Sequence, residues 1–128
     1  MKGYIFRCNS KTFQEVFDRQ LFGEEIMYLP AIKQISREDY LFLYNTSTFE
    51  FSGPYKPIGK GGERIIPEAW KGLFPPQIKF ESLPSTKTIS FSKIEKIIKR
   101  FRKNIYPDME LSEEQVKLIL SIIKSTNF

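Results

Sequence analysis

Trp70 is the only tryptophan in the chain and sits in a turn between Pro67 and Gly72. An indole there either plugs a core or floors a pocket on which a nucleic-acid base stacks, an interaction worth about 1–3 kcal/mol per base. Burial as a plug is the more frequent fate of tryptophan. Phe22, just before Gly23, presents the same alternative. Lys56, Lys60, Arg64 and Lys71 fall in or near the stretch Gly53 to Arg64, which holds two prolines and four glycines. Its glycines would let a ligand approach the backbone while the cations contact phosphates. The same stretch also reads as a solvated surface loop. Gly59-Lys60-Gly61-Gly62 fits neither the GxxxxGK[ST] phosphate loop nor a GxGxxG turn opening onto a helix, so nucleotide hydrolysis is not indicated.

Other chemistries are bounded by what is scarce. The chain has no histidine, which removes Ser-His-Asp and Cys-His pairs, HExxH metal sites and imidazole acid/base catalysis. Cys8 is the single cysteine, so an intramolecular disulfide and CxxC-type zinc sites are out. Carboxylates such as Asp39 or Glu68 show no paired-acid spacing. No catalytic residue, metal or cofactor is expected.

Charge is unevenly placed. The net charge is +5, yet from Lys87 to Lys103 seven basic residues (Lys87, Lys93, Lys96, Lys99, Arg100, Arg102, Lys103) face Glu95 alone. That segment carries +6, and the rest of the chain therefore sums to −1. A local positive field attracts polyanions, although a lysine-rich helix face is also commonly just wet. No apolar run approaches the roughly 18 residues needed to span a bilayer. Met1-Lys2-Gly3-Tyr4 opens without a signal-peptide pattern, and a cytoplasmic protein is expected.

The length, 128 residues, suits one domain. Gly3 to Cys8 reads as a strand. Thr12 and Glu15 form a capping-box pattern for a helix with Phe13, Val16, Phe17 and Leu21 on one face, stopped at Gly23. Glu24 to Asp39, which contains Pro30, reads as an irregular connection with room for one short strand. Tyr40 to Tyr44 is uniformly apolar, as a strand buried on both faces would be. Asn45-Thr46-Ser47 turns it into Thr48 to Ser52, a strand followed by the Gly/Pro-rich stretch, which reads as a long loop or an irregular edge. Ile65-Ile66 restarts an extended segment, and Gln77 to Glu81 alternates as another strand. Ser92 with Glu95 predicts a helix burying Ile94, Ile97, Ile98 and Phe101, broken at Pro107. Ser112 with Gln115 predicts a last helix with Val116, Ile119, Leu120 and Ile123 as its stripe.

Several ordered motifs resemble the development-and-cell-death (DCD) domain family, marked by FGLP, LFL and PAQV. They are Phe22-Gly23, Leu41-Phe42-Leu43-Tyr44 and Pro75-Pro76-Gln77-Ile78-Lys79-Phe80. Gly3-Tyr4-Ile5-Phe6, Cys8-Asn9, Gly61-Gly62, Ile66-Pro67-Glu68-Ala69 and the tail from Leu111-Ser112 through Gln115-Val116 fit as well. Glu24-Glu25 stand where the family has LP, and Pro76 where it has Ala. The resemblance covers nearly the whole chain and implies a link to stress and cell-death proteins of plants. A copy this short looks like a microbial or archaeal relative.

More distantly, Trp70-Lys71-Gly72-Leu73-Phe74 before an alternating strand is similar to the YTH domain, a PUA-like RNA module that holds a methylated adenine in an aromatic cage. The similarity implies an α+β fold: a small PUA-like (YTH/EVE-like) β-barrel or strongly bent antiparallel sheet, with one helix after the first strand and two C-terminal helices. It places Trp70 on one cage wall, Phe22 near another and Ile65, not aromatic, at the third. Arg7 and Asn9 lie where YTH domains set polar groups around the nucleotide. The resulting expectation is RNA binding. A flipped or single-stranded base would enter between Phe22 and Trp70, its edge met by Arg7, Asn9 and Asn45. Phosphates would run along Lys56, Lys60, Arg64 and Lys71, and along the basic segment at Lys93, Lys96, Arg100 and Lys103. The alternative is a protein-interaction domain anchored by its aromatics.

Overall fold

The computed structural model describes residues 1–98 and 108–126. Six strands form one mixed sheet: β1 (Gly3–Cys8), β2 (Leu21–Gly23), β3 (Tyr40–Asn45), β4 (Glu50–Glu63), β5 (Pro76–Ser90) and β6 (Glu110–Leu111). Among the described residues, three α-helices accompany them: α1 (Phe13–Arg19), α2 (Leu29–Lys33) and α3 (Glu113–Ser125). Short 3-10 turns cover Ile26–Tyr28, Ala69–Gly72 and Phe91–Lys93. The strand order is β2-β5-β4-β3-β1-β6. The sheet is open, with β2 and β6 at its edges, and it is mostly antiparallel, as expected. β1 and β3 run parallel, from Gly3 beside Tyr40 to Cys8 beside Asn45. The segment between them carries α1 and α2, the kind of crossover a parallel pair requires.

The alternation of a strand sorts its side chains onto two cores. In β1, Tyr4, Phe6 and Cys8 join one cluster with Val16, Ile32 and Trp70, while Ile5 joins the other. In β3, Leu41 and Leu43 go with the first cluster, and Phe42 and Tyr44 with the second, which α3 covers through Val116, Ile119 and Ile123. Both faces of β3 are therefore dry, which is why its sequence does not alternate.

The Gly/Pro-rich stretch is not a loop. It is most of β4, which pairs with β5 along its length, with register shifts between Gly53 and Tyr55 and between Ile58 and Gly62. Glycine and proline concentrate at these irregularities because they lack a side chain or an N–H to place. At Gly53, φ is +148° and an added Cβ would lie 2.5 Å from the Phe42 ring. Ile65-Ile66, expected to restart an extended segment, forms a bend outside the sheet.

Of the three capping boxes read from the sequence, one forms. Ser112 Oγ accepts the Gln115 N–H at 3.2 Å and Gln115 Oε1 accepts the Ser112 N–H at 2.9 Å. Thr12 makes no such cap, its hydroxyl being engaged with Asn9. Residues 91–98 form a 3-10 turn and further turns in place of the expected helix, and the Ser92 hydroxyl pairs with that of Ser90. Ile94 and Ile98 are nonetheless buried as expected. The remainder of that expected helix lies outside the described residues.

Candidate ligand-binding cleft

A cleft of about 150 Å³ opens where β1 and β2 end and α1 begins. Arg7, Cys8 and Asn9 line one side, Thr12 and Val16 approach from α1, and Gly23, Glu24 and Glu25 follow β2. Thr46, Trp70 and Phe74 complete it. The Thr46 N–H and hydroxyl both donate to the Cys8 carbonyl, at 2.8 and 3.1 Å, which ties the β3–β4 turn to the end of β1.

Trp70 is held from several directions. Its backbone N–H donates to Glu15 Oε2 at 2.6 Å, and its indole Nε1–H donates to the Thr12 carbonyl at 3.3 Å. Phe74 meets the ring edge-on at 5.7 Å. Gly23 supplies the remaining room: a Cβ there would stand 2.5 Å from the indole Cζ3. Trp70 and Lys71 both adopt positive φ (49° and 56°), an uncommon conformation for side-chain-bearing residues. The Gln77 carboxamide, 1% exposed, braces this segment by accepting the Ile66 N–H and donating to the Ile66 and Phe74 carbonyls. The indole ends 6% exposed, largely enclosed but bordering the cleft.

Arg7 reaches Glu24 through its backbone N–H (2.9 Å), Nε (3.3 Å) and a terminal nitrogen (3.2 Å). Its guanidinium also lies over the Tyr28 ring at 5.0 Å. Glu24 is 4% exposed. Burial outweighs the attraction of Arg7 and pushes the Glu24 carboxyl above its ordinary range. Burial works against the Arg7 charge too, but the bond to Glu24 prevails and holds Arg7 above its usual value. Cys8 is pushed up to about 12, first by burial and then by Glu24. Among the described residues, no three His, Cys, Asp or Glu side chains group as metal ligands. No described helix is long and apolar enough to cross a membrane.

Of the five residues expected around a base, Arg7, Asn9 and Trp70 meet in this cleft; two do not. Phe22 is fully buried, stacked between Phe6 (4.8 Å) and Phe80 (3.9 Å), and forms no pocket wall. Asn45 is 6% exposed, and its side-chain oxygen accepts the Ser47 and Thr48 N–H groups as the cap of the β3–β4 turn. Asn9 also spends its oxygen locally, on the N–H groups of Lys11 and Thr12, which leaves its NH2 to offer a ligand. Ile65 is 37% exposed and does not line the cleft.

The expected phosphate contacts divide as well. Lys56 is not available: its ammonium donates to the Arg37, Glu38 and Asp39 carbonyls and sits 3.9 Å from the centre of the Tyr40 ring. Arg64 is exposed but bridges to Glu63 at 2.7 Å. Lys60, Lys71, Lys93 and Lys96 are exposed. Arg100 and Lys103 lie outside the described residues. None of the described cations in this group lines the cleft. Glu24, Thr12, Thr46 and Phe74 were not anticipated as lining residues; the one sequence signal was the carboxylate of Glu24 standing where the DCD motif has an apolar residue.

The fold is that of solved YTH domains. The Mmi1 YTH domain superimposes with a TM-score of 0.73 at 11% identity, over 96% of this chain and 95% of that one. The Pho92 YTH domain in complex with m6A gives 0.70 at 10% identity, over 99% and 88%. The Zygosaccharomyces rouxii MRB1 YTH domain, in complex with N6-methyladenosine RNA, gives 0.64 at 12%, over 98% and 88%. The sequence relatives found are plant proteins, and the expectation of a microbial or archaeal form finds no support among them. The B2 protein of Daucus carota is 39% identical over 84 residues, 60% of this chain and 41% of its own length. The DCD domain-containing protein NRP-B of Glycine max is 38% identical over 84 residues, 60% of this chain and 26% of its own length. The chain thus spans less than half of these relatives. The sequence profile of the development and cell death domain matches residues 2–123, and the chain belongs to that family.

Proposed function

We propose that this chain is an RNA-binding module, not an enzyme, taking one unpaired base of a single-stranded or locally flipped RNA in the cleft beside Trp70. The observation that carries the reading is an indole immobilised at the wall of an open cleft whose other side presents Arg7, Glu24 and the Asn9 amide. Such a wall offers a π-face to a base, and the polar groups offer donors and an acceptor to its edge. The fold supports it, being shared with domains solved in complex with RNA. Trp70 and Phe74 are the aromatic rings lining the cleft, and no second indole encloses a methyl group, so a methylated base is not required by this geometry. Exposed Lys71 and Lys60 are the first candidates for phosphate contacts.

Titration of Trp70 fluorescence with short RNA oligomers at two salt concentrations tests the proposal. Affinity should fall with salt, with log K dropping about 0.7 per phosphate contacted for each unit of log salt. Trp70→Ala should weaken binding by about ten- to a hundred-fold. Unchanged affinity in a folded Trp70→Ala protein sinks the base cleft. A protein partner is the second reading, favoured by the exposure of Ile26 (57%), Met27 (67%) and Leu73 (70%) on segments adjoining the cleft. Binding held by those side chains would be nearly indifferent to salt.

A further inference from the structure

The cleft is not isolated. Asn45, Phe13 and Phe17 border a second hollow of about 170 Å³, and each is a chain neighbour of a residue lining the cleft: Thr46, Thr12 and Val16. Glu50 and Thr88 line that hollow and also a third depression of about 290 Å³ around Phe49, Ser90 and Lys93. The lining of each of the three includes an aromatic ring: Trp70 in the first, Phe13 in the second and Phe49 in the third.

Phe49 is the least explained of these by folding. It is 62% exposed, and its φ is +58°. Its N–H donates to the Asn45 carbonyl and its carbonyl accepts the Phe91 N–H, each at 2.9 Å, so the backbone is pinned on both sides while the ring faces solvent. A β-turn position with positive φ ordinarily takes Gly, Asn or Asp. A large apolar ring held there is left mostly in solvent. Beside it, Thr88, Ser90 and Lys93 contribute hydroxyls and a cation, and Lys93 belongs to the segment 87–103 with its net charge of +6.

We infer that Phe49 and Lys93 form a second nucleotide subsite, so that the ligand is a stretch of single-stranded RNA several nucleotides long, reaching from Trp70 past Phe13 to Phe49. The inference rests on the base-cleft reading for the chemical class of the ligand. Aromatic platforms in series, flanked by cations, suit a single strand because every base has a stacking face. A folded protein partner would instead be expected to need a continuous apolar patch, which Glu50, Thr88 and Ser90 interrupt.

The test is the length dependence of binding by fluorescence anisotropy, with labelled oligouridine and oligoadenosine of two and eight nucleotides. Wild type, Trp70→Ala, Phe49→Asn and Phe49→Trp are compared. Asparagine tolerates the positive φ and removes the ring, so the fold is retained, as melting would verify. Expected is an eight-nucleotide affinity about ten-fold weaker in Phe49→Asn, an unchanged affinity for dinucleotides, and recovery of the octamer in Phe49→Trp. An octamer affinity unaltered by Phe49→Asn but reduced by Trp70→Ala overturns the second subsite and leaves the cleft. Loss with Phe49→Asn alone leaves the subsite and overturns the cleft. Absence of RNA binding by the wild-type protein overturns both.

Discussion

Gly23 and Trp70 fit each other so closely that the glycine position has no room for a side chain. Gly23→Ala would drive a methyl group into the indole, costing about 1–3 kcal/mol by overpacking. The expected result is a lower urea midpoint together with red-shifted Trp70 emission, as the ring is displaced towards water. Unchanged emission would mean that the glycine is not what seats the ring. How much of the site was legible in the sequence differs residue by residue. Trp70 announced itself by being solitary. Phe22 did not, because a phenylalanine before a glycine reads alike as pocket wall and as core, and only its stacking with Phe6 and Phe80 decides. Asn9 and Asn45 have side-chain oxygens suited both to a nucleobase edge and to capping a turn, and turn capping is what they do. No local pattern could reveal Lys56 as taken, since its three carbonyl partners converge from another segment.

At the level of elements, helix ends show where local patterns suffice. Ser112 and Gln115 make a full reciprocal cap, and Gln115 Nε2 also donates to the Ile97 carbonyl at 2.9 Å, fastening α3 to the preceding turns. Ser112→Ala should therefore destabilise the protein by about 1 kcal/mol, read as a shift in chemical denaturation midpoint. No shift would show the cap to be redundant. The same pattern at Thr12 and Glu15 fails because both groups have other partners: the Thr12 hydroxyl engages Asn9, and Glu15 accepts from the distant Trp70 N–H and from Arg19 one helical turn on. β4 was illegible for a different reason. Two prolines and four glycines argue against regular pairing, but the register shifts opposite β5 absorb them. β1 and β3 were plain, their apolar residues dividing between two cores.

Across the whole molecule, burial governs how pH acts on stability. Tyr4 and Cys8 are both pushed up to about 12, chiefly by burial, from ordinary values of 10.0 and 9.0. The fold favours their protonated forms. Their contribution to stability is complete below those ordinary values and is lost as pH rises through about 12. The urea midpoint should decline between pH 9 and 12, and Cys8→Ala should decline less steeply over that interval. Parallel curves would mean that Cys8 does not titrate in this window. Net charge was a poorer guide to the site than burial: Lys87 of the basic segment donates to the Ile123 and Thr126 carbonyls at the end of α3, and the cleft itself holds two glutamates with Arg7.

The placement of β1 governs how the chain must assemble. Gly3–Cys8 lies between β3 and the late residues Glu110–Leu111, so one flank of the opening strand waits for a partner from the far end of the sequence. Until that partner is made, Gly3 and Ile5 expose backbone donors and acceptors beside a very apolar stretch, an invitation to mispairing between nascent chains. Contacts this distant also slow folding. Products cut short before Met109 are therefore expected to aggregate during synthesis.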